Sequence, residues 1–249
     1  MAEYSICITQ YNSLSTVRRS LDSILEQIDS RYEVVVVDNC SDDGSRQLLE
    51  EYSANKRIKL IEAKCSRGKG RQIAFENSSG EYIVSNMDMD DMFAPVLSKA
   101  IQLYHQNCEG MMLHVHSTLS DSPGGAVTIA PRALIRELGG WRDLQWFEDR
   151  DLWARAVGVG KYRWTYYPLY LALNSHPERR RDLTKLRWSI IRQRDADRIG
   201  LQEKKSVPGI PVYLVAWIIS RFKPRYNEGK AFLERLKEGS AYLNLIRSL

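Results

Sequence analysis

The sequence predicts an α/β fold with a mostly parallel central sheet. The segment "VVVVD" at 34–38 is an unbroken β-branched run, which is typical of a strand buried on both faces in a parallel sheet. A second strand-like run, "YSICIT" at 4–9, precedes it. The chain between the two carries apolar residues at helical spacing, which predicts a crossover helix. These apolar residues are Leu14, Val17, Leu21, Ile24, Leu25 and Ile28.

The alternation of helix and strand continues as far as residue 87. We expect a helix over 44–55, a strand over 57–62, a helix over 69–78 and a fourth strand over 82–87. Strands joined by single helices form an open sheet with right-handed crossovers. Ligands of such sheets bind beyond the carboxyl ends of the strands. The ends of the predicted strands are therefore where we expect a site.

The second half of the chain predicts further elements on the same sheet. Pro95 precedes one predicted helix, and Pro131 is expected in the first turn of another that stops at Gly139-Gly140. Residues 148–160 predict a short helix that ends in glycine. The remaining strands are predicted in "GMMLHVHS", "GAVTIA" and "YPLYLALNSH", the last of which leads to His176.

The charge balance changes near residue 177. Residues 1–176 carry 19 Lys and Arg against 23 Asp and Glu, whereas residues 177–249 carry 17 against 8. This excess of positive charge predicts an anionic partner for the C-terminal region. Trp188 and Trp217 are mixed with the charges, which suits a membrane surface at least as well as a nucleic acid. The alternative is a basic helical region that packs on the sheet and exposes its charges to water.

The cysteines and the apolar tracts limit where the protein works. The four cysteines are far apart and form no CxxC pair, which argues against a zinc ribbon or a disulfide framework and for a reducing compartment. The N-terminus lacks the pattern of a secretory signal. The longest apolar tract, at 210–220, is shorter than the ~20 residues that span a bilayer. We expect a cytoplasmic protein, with peripheral association at the cytosolic face of a membrane as an extension.

Three aspartates follow the fourth predicted strand, at Asp88, Asp90 and Asp91. Three like charges within four positions repel one another and are costly to bury. A divalent cation such as Mg²⁺ or Mn²⁺ would offset that repulsion and could bridge to the phosphate oxygens of a ligand. Helix capping is the alternative, and it would explain only one of the three, such as Asp91.

Four segments occur in an order and spacing that resemble the family 2 glycosyltransferases. They are "ITQYN", "VVVVDNCSDDGS", "SRGKGRQIAFENSSGEYIVSNMDMDDMF" and "LGGWRDLQWFEDRDLWARA". The resemblance covers roughly residues 3–176. It implies a single GT-A type catalytic domain over 1–176, divided into a nucleotide-binding half at 1–93 and an acceptor-binding half at 94–176. It also implies a requirement for Mn²⁺ or Mg²⁺ and transfer of a sugar with inversion.

The resemblance assigns roles at the donor site to eight residues. Thr9 and Tyr11 would line the pocket for the base and ribose, and Asp38 would accept a hydrogen bond from the nucleobase. A carboxylate at that position suits the N3–H of uracil and also the N1–H of guanine. Asp42 would support the same pocket, and Arg71 would lie against the nucleotide. Asp88 would hold the ribose and Asp90 the metal. Asp91 would hold the sugar or order the loop.

The resemblance also assigns the catalytic base. An inverting displacement needs a base near the acceptor hydroxyl, on the face opposite the leaving group. Asp149 matches the base of the family, and Glu148 beside it would orient the acceptor. Two carboxylates at a helix start could equally complement the helix dipole.

The histidines are less informative. His176 stands where several enzymes of this fold carry a metal-binding histidine, and a structural role is equally open. His114 and His116 alternate on a strand and would share one face, which favours packing or a place in the sugar pocket.

These observations predict an inverting, metal-dependent hexosyl- or N-acetylhexosaminyltransferase that uses a UDP- or GDP-sugar and a glycan or lipid-linked acceptor. A non-catalytic nucleotide-sugar-binding subunit or scaffold is the alternative, although binding alone requires no base. A nucleotidyltransferase is disfavoured because "CITQYNSLSTVRRS" is not the glycine-rich basic loop of those enzymes. No nucleic-acid partner is expected, and homodimer formation is left open.

Overall fold

The computed structural model describes residues 2–95, 97–116, 126–166, 170–172, 183–200, 218–222, 224 and 226. Its strands are β1 (Tyr4–Gln10), β2 (Tyr32–Asp38), β3 (Lys59–Glu62), β4 (Tyr82–Ser85), β5 (Asp91–Phe93), β6 (Met112–His116), β7 (Ala126–Pro131), β8 (Tyr162–Tyr166) and β9 (Tyr170–Ala172). Its helices are α1 (Val17–Leu25), α2 (Ser45–Ala54), α3 (Arg67–Glu76), α4 (Leu97–Asn107), α5 (Arg132–Glu137), α6 (Glu148–Gly158) and α7 (Leu183–Arg198).

Seven strands form one sheet in the order β3-β2-β1-β4-β7-β6-β8, and β5 pairs with β9 in a second, two-stranded sheet. Strands β1 to β4 are mutually parallel, as are β6 and β8, while β7 runs antiparallel to β4 and β6. The predicted α/β fold with a mostly parallel sheet is therefore confirmed.

The valine run of β2 lies in the middle of the molecule. Val34 and Val36 pack with α1, α2 and α4 on one face of the sheet, while Val35 and Val37 pack with α3, α5 and α6 on the other. All four side chains are buried. Burial of each contributes about 1.5–3 kcal/mol relative to an exposed position, which explains why the run has no polar alternation.

Three features differ from the sequence-based expectations. Strand β5 was not predicted, because its three residues become a strand only by pairing with β9, which lies far away in the chain. Strand β8 was also not predicted. Pro131 ends β7 and caps α5 instead of lying in the first turn of that helix. A proline can end a strand because the ladder there needs no N–H from it.

Part of the basic C-terminal region packs against the 141–147 loop that precedes α6. Ala196 and Ile199 form a small apolar cluster with Leu144 and Phe147. This helical segment therefore packs next to the start of α6. None of the described helices is long and apolar enough to cross a membrane.

Candidate active site

Turns with left-handed backbone follow three neighbouring strands of the sheet. Asn12 after β1, Cys40 after β2 and Asn86 after β4 have φ angles of 49°, 54° and 67°. Such conformations are uncommon outside glycine and cluster at functional sites. Because β1, β2 and β4 are parallel neighbours, these turns meet at one edge of the sheet. This edge is called the rim below.

Asp38 anchors the turn after β2. Its buried carboxylate accepts hydrogen bonds from the backbone N–H of Ser41 at 2.8 Å and from the Ser41 hydroxyl at 2.7 Å. The side-chain amide of Gln10 on β1 also donates to it. A carboxylate has about four lone-pair positions, so these bonds leave room for one further donor.

The turns after β1 and β2 are tied together at the surface. The Asn12 amide donates to a carboxylate oxygen of Asp42 at 2.8 Å, and its oxygen accepts from the backbone N–H of Asp42 at 3.0 Å. Tyr11 between them is 55% exposed. Thr9 lies deeper, in close contact with Gly70 of α3. The sequence-predicted residues Thr9, Tyr11, Asp38 and Asp42 are thus brought to one corner of the rim.

The acidic segment after β4 alternates between core and rim. Met87 and Met89 are buried in the core, while Asp88, Asp90 and Asp91 are half-buried. Burial, together with the charges of Asp90 and Asp88, raises the pKa of Asp91 to about 7. The three carboxylates repel one another at the rim, and a bound positive charge would reduce this repulsion.

The acidic segment fits a divalent cation whose remaining ligands come from elsewhere. Within the described part of the chain, no group of three or more His, Cys, Asp or Glu side chains could hold a metal ion by itself. Mg²⁺ is usually held by one or two carboxylates together with substrate phosphates and water, and hard cations prefer oxygen ligands. The Asp90 carboxylate carries oxygens of this kind. His176 lies outside the described residues.

Helix α6 carries the second acidic group of the site. Phe147, with φ of 64°, turns the chain into the helix, whose first turn contains Glu148, Asp149 and Asp151. Acidic side chains are stabilised at a helix N-terminus by the helix dipole. Glu148 and Asp151 are buried, while the side chain of Asp149 is 13% exposed.

Asp151 has a structural role that its neighbours do not share. Its carboxylate pairs with Arg142 at 2.9 Å and with Arg155 at 2.7 Å. Arg155 in turn donates to the backbone oxygen of Gly140 at 2.7 Å. Asp151 therefore holds the 141–147 loop on α6, which leaves Glu148 and Asp149 as the acids near the rim.

Arg71 of α3 joins the two acidic groups. Its Nη2 lies 3.3 Å from Oδ1 of Asp88 and 3.0 Å from Oδ2 of Asp149, and its Nε lies 3.3 Å from Oε1 of Glu148. The side chain is almost completely buried. Burial by itself would lower the pKa of Arg71, but the charges of the three carboxylates raise it above its ordinary value.

Asp149 is held from two sides. Besides the contact with Arg71, its Oδ1 accepts a hydrogen bond of 3.0 Å from the indole N–H of Trp141. Trp141 follows the Gly139-Gly140 turn and was not singled out by sequence reasoning. The "LGGW" stretch that carries it was the available signal. Both carboxylate oxygens of Asp149 are therefore fixed, and each keeps a lone pair for a further donor.

Glu148 lies between two arginines, and yet its pKa is higher than that of an ordinary glutamate. Burial and the neighbouring charge of Asp149 raise its pKa to about 7, against the opposing effect of Arg67 and Arg71.

Helix α3 packs closely against the 141–147 loop next to Glu148. A Cβ on Gly68 of α3 would collide with the carbonyl oxygen of Arg142, and the Gly68 N–H donates to the backbone oxygen of Leu144 at 2.8 Å. Helix α3 and the 141–147 loop can meet only because residue 68 is glycine.

His114 and His116 both lie on β6. His114 is fully buried, stacks on Trp153 and lies 2.8 Å from the hydroxyl of Tyr162. Its environment favours the packing interpretation. His116 pairs with Ala126 and Tyr166 within the sheet.

Comparison with known proteins identifies the fold and the family of this chain. The sequence profile described as Glycosyl transferase family 2 matches residues 5–147, which is more than half of the chain. Poly(ribitol-phosphate) beta-N-acetylglucosaminyltransferase TarS of Staphylococcus aureus is 31% identical over 96 residues, which is 36% of this chain and 17% of TarS. Putative teichuronic acid biosynthesis glycosyltransferase TuaG of Bacillus subtilis is 31% identical over 90 residues, 35% of each protein. The matched part thus spans about a third or less of each of these two relatives.

Two solved structures share the fold. TarS residues 1–349 in complex with UDP superpose with a TM-score of 0.57 and 21% identity, covering 69% of this chain and 60% of that one. The mannosyltransferase PcManGT from Pyrobaculum calidifontis, in complex with GDP-Man and Mn²⁺, gives a TM-score of 0.62 and 17% identity, covering 96% and 75%. The fold is of the GT-A type, and this chain belongs to glycosyl transferase family 2.

Proposed function

We propose that this chain is an inverting glycosyltransferase that moves a sugar from a UDP- or GDP-sugar to an acceptor hydroxyl. The observation that carries the proposal is the contact of Arg71 with both Asp88 and Asp149. The buried Arg71 guanidinium thus contacts both an aspartate of the acidic rim, where a leaving nucleotide would be held, and a carboxylate suited to act as base. A binding module without catalysis would need the first of these groups and not the second.

The rim is the proposed donor site. Thr9, Tyr11 and Asp42 surround the corner where the base and ribose would lie, and Asp38 has a free lone pair for an N–H of uracil or guanine. Asp88 would hold the ribose. The relatives of known structure were solved with UDP, UDP-GlcNAc or GDP-Man, which supports a nucleotide-sugar donor and leaves both bases open.

Asp90, with His176 as a second candidate, is the proposed ligand of Mn²⁺ or Mg²⁺. When bound, such a cation acts as a Lewis acid that stabilises the negative charge developing on the departing diphosphate. Asp91 would order the acidic segment or contact the sugar. Arg71 adds a fixed positive charge at the same edge, where water is largely excluded and electrostatic stabilisation is strongest.

Asp149 is the proposed general base. Arg71 and Trp141 hold its two oxygens in place, so the carboxylate needs no reorientation before it takes a proton from the acceptor hydroxyl. The deprotonated oxygen would attack the anomeric carbon from the face opposite the diphosphate, which inverts the configuration. Glu148, which lies directly beside the proposed base, would orient the acceptor.

The proposed transfer is of a hexose or N-acetylhexosamine, in the synthesis of a glycan, a surface polysaccharide or a lipid-linked oligosaccharide. The names of the relatives support this range, since TarS is a poly(ribitol-phosphate) beta-N-acetylglucosaminyltransferase and TuaG a putative teichuronic acid glycosyltransferase.

Peripheral contact with the cytosolic face of a membrane is a further part of the proposal. Ile218, Ile219 and Phe222 are exposed, Phe222 to 82%, and the exposed Arg221 lies among them. Exposed apolar side chains next to a basic one suit the boundary of an anionic bilayer. Loss of flotation with anionic liposomes in Phe222→Ser would support this contact, and unchanged flotation would remove it.

The decisive test combines donor screening with two substitutions. Wild type with Mn²⁺ should consume one UDP- or GDP-sugar, and the product should carry the inverted anomeric configuration by NMR. Asp149→Asn should lower kcat by about 10²–10⁴-fold while nucleotide binding persists. Asp29→Asn, an exposed change at the opposite edge of the sheet, serves as the control. Tight nucleotide binding without turnover of any donor would instead favour the non-catalytic subunit.

A further inference from the structure

Two cysteines from different turns lie at the corner of the rim where the base and ribose are proposed to bind. Cys40 lies in the left-handed turn after β2, and Cys65 lies between β3 and Ser66, the N-cap of α3. Both thiols are free, and Cys40 is exposed while Cys65 is half-buried. We call Cys40 and Cys65 the rim cysteine pair.

Hydrogen bonds hold the two turns side by side. Strands β2 and β3 are parallel neighbours, and Asp38 lies opposite Glu62 where they end. Beyond this point the Ala63 N–H donates to the backbone oxygen of Asp38 at 2.9 Å, and the Cys65 N–H donates to the side-chain oxygen of Asn39 at 2.8 Å. Neighbouring strands lie ~4.8 Å apart, and a disulfide joins Cα atoms that are about 4.4–6.8 Å apart. The spacing of the strands that lead to the two cysteines therefore suits a disulfide.

The two thiols also act on each other electrostatically. Burial and the neighbouring charge of Cys40 raise the pKa of the Cys65 thiol. Desolvation and the charge of Glu62 raise the pKa of the Cys40 thiol. Because the thiolate is the reactive form, we expect the rim cysteine pair to react slowly at neutral pH and faster in mild alkali.

Cys65 adjoins the residues that are proposed to line the donor corner. A Cβ on Gly70 of α3 would lie 3.3 Å from Sγ of Cys65 and 2.8 Å from the methyl group of Thr9. Cys65 and Thr9 thus pack against the same glycine. The Cys65 side chain is therefore held by α3, whereas the exposed Cys40 side chain is not packed in this way.

Cys40 directly precedes the residue that ties the turns of β1 and β2 together. The Ser41 hydroxyl accepts from the Asn12 N–H at 2.9 Å and donates to the Asp38 carboxylate at 2.7 Å. An S–S bond is about 2.05 Å long, so two free thiols must move together when it forms. Since Cys65 is packed and Cys40 is exposed, the turn that carries Cys40 is the part that moves. Its movement would displace Ser41 from these hydrogen bonds.

We propose that the rim cysteine pair is a redox-modification site, which a disulfide oxidant such as oxidised glutathione converts into a Cys40–Cys65 disulfide that weakens nucleotide binding. The effect on binding rests on the proposed function, because it takes this corner as the nucleotide site. Formation of the disulfide does not depend on that assignment. In reducing compartments such disulfides are transient and serve as redox sensors.

The oxidation proceeds by two exchanges. The thiolate of the exposed Cys40 attacks one sulfur of oxidised glutathione, whose S–S bond breaks, and one glutathione thiolate leaves with the electron pair. The Cys65 thiolate then attacks the Cys40 sulfur and releases the second glutathione. The two cysteines lose two electrons, which oxidised glutathione gains. The two protons of the cysteine thiols end on the two reduced glutathione molecules.

Thermodynamic linkage makes the proposal measurable from two sides. Loss of one hydrogen bond at the corner should raise the Kd of the nucleotide about ten-fold in the oxidised protein. Saturating nucleotide must then disfavour the disulfide by the same factor, because coupling between two equilibria is reciprocal. A ten-fold change corresponds to about 30 mV, so the nucleotide should raise the reduction potential of the rim cysteine pair by that amount.

The test uses the full chain in glutathione redox buffers at pH 8.5, without oxygen. One series contains Mg²⁺ alone, and two others contain Mg²⁺ with saturating UDP or GDP. Alkylation, digestion and mass spectrometry should give a peptide pair joined through Cys40 and Cys65, with a smaller oxidised fraction where a nucleotide binds. Calorimetry on the fully reduced and fully oxidised protein should give the ten-fold difference in Kd.

The matched variant is Cys40→Ser, which cannot form the disulfide. It should bind the nucleotide like reduced wild type in both reducing and oxidising buffer. Cys7 and Cys108 serve as internal controls and should stay reduced, because both are buried and burial raises their pKa values to about 12 and 11. Glutathione that stays on Cys40, or a disulfide between two chains in place of the Cys40–Cys65 bond, would overturn the inference.

A failure of the inference can be told from a failure of the proposed function. If wild type consumes a nucleotide-sugar and its reduced and oxidised forms bind the nucleotide equally, only the inference fails. If reduced wild type binds neither UDP nor GDP and consumes no donor, the proposed function itself fails, while the mapped disulfide still tests the rim cysteine pair.

Discussion

Nη2 of Arg71 lies 3.0 Å from Oδ2 of Asp149, although the two residues come from different helices and are far apart in the chain. The same nitrogen lies 3.3 Å from Asp88 at the rim. The guanidinium is buried, so its charge is not screened by water and acts strongly on both carboxylates. Any change of this side chain should therefore affect the rim and the proposed base together.

The first prediction concerns the planar shape of the Arg71 guanidinium. Lysine keeps the charge of Arg71 but has no planar fork, so Arg71→Lys cannot serve Asp88, Glu148 and Asp149 at once. We expect about a hundred-fold loss in kcat, comparable to removal of one transition-state donor. Arg71→Met should cost about 3–5 kcal/mol in the free energy of unfolding, because it leaves buried carboxylates without their cation.

Steady-state kinetics and urea unfolding measure these two effects. Arg46→Lys is the matched control, since Arg46 makes an exposed pair with Glu62 at 2.8 Å. It should change stability by less than about 1 kcal/mol. Full activity in Arg71→Lys would show that the fork is not needed.

The second prediction concerns Trp141. Trp141→Phe keeps an aromatic ring in the core but removes the pyrrole part of the indole, and with it the N–H that donates to Asp149. Loss of one hydrogen bond to a charged group costs about 1.5–3 kcal/mol, so we expect kcat to fall by roughly ten-fold or more. Steady-state kinetics measures this loss, and an unchanged kcat would argue that Trp141 only packs.

The strand ends that form the rim could be predicted from the sequence because an apolar run that stops at acidic residues is a local pattern. The predicted strand at 82–87 stops at Asp88 in this way. The α/β class was predictable from another local pattern, the unbroken valine run of β2. Both conclusions need only neighbouring residues.

The contacts between the two acidic groups could not be predicted in this way. Arg71 was expected to lie against a nucleotide, and its contact with Asp149 depends on how α3 and α6 pack. That packing requires Gly68, whose lack of a side chain admits the 141–147 loop. The role of Trp141 depends likewise on a tertiary contact that leaves no periodic signal in the sequence.

The third prediction concerns pH and stability through Glu148. Its pKa is raised from 4.5 to about 7 in the folded protein, with burial as the largest cause. Between these values the folded state holds a proton that the unfolded chain has released. The stabilising effect is complete below pH 4.5 and is lost as pH rises through about 7. The free energy of unfolding should therefore fall over this range.

Glu148→Gln should reduce that pH dependence, because glutamine does not titrate. Urea unfolding at pH 5 and pH 8 should show a smaller difference in the variant than in wild type. Some dependence should remain, since the pKa of Asp91 is also raised to about 7. Glu137→Gln, an exposed change on α5, should behave as wild type. A variant that loses as much stability as wild type between the two pH values would contradict the assignment.

The fourth prediction concerns Asp195, a buried residue of α7. One oxygen accepts hydrogen bonds from the backbone N–H groups of Gln145 at 2.9 Å and Trp146 at 3.2 Å. The other pairs with Arg194 at 2.8 Å and Arg198 at 3.4 Å. The C-terminal region thus holds the loop that leads into Glu148 and Asp149.

Asp195→Asn removes the charge and one acceptor position, so it should loosen the 141–147 loop and lower stability by about 3–5 kcal/mol. Hydrogen exchange should become faster in peptides that cover this loop, while peptides of β1 and β2 keep their relative protection. Asp197→Asn is the matched control, because Asp197 lies on the same helix and accepts from Ser220 instead. Equal exchange of the loop in both variants would mean that Asp195 stabilises α7 alone. Faster exchange in Asp195→Asn only, together with a lower kcat, would mean that the basic C-terminal region positions the proposed base.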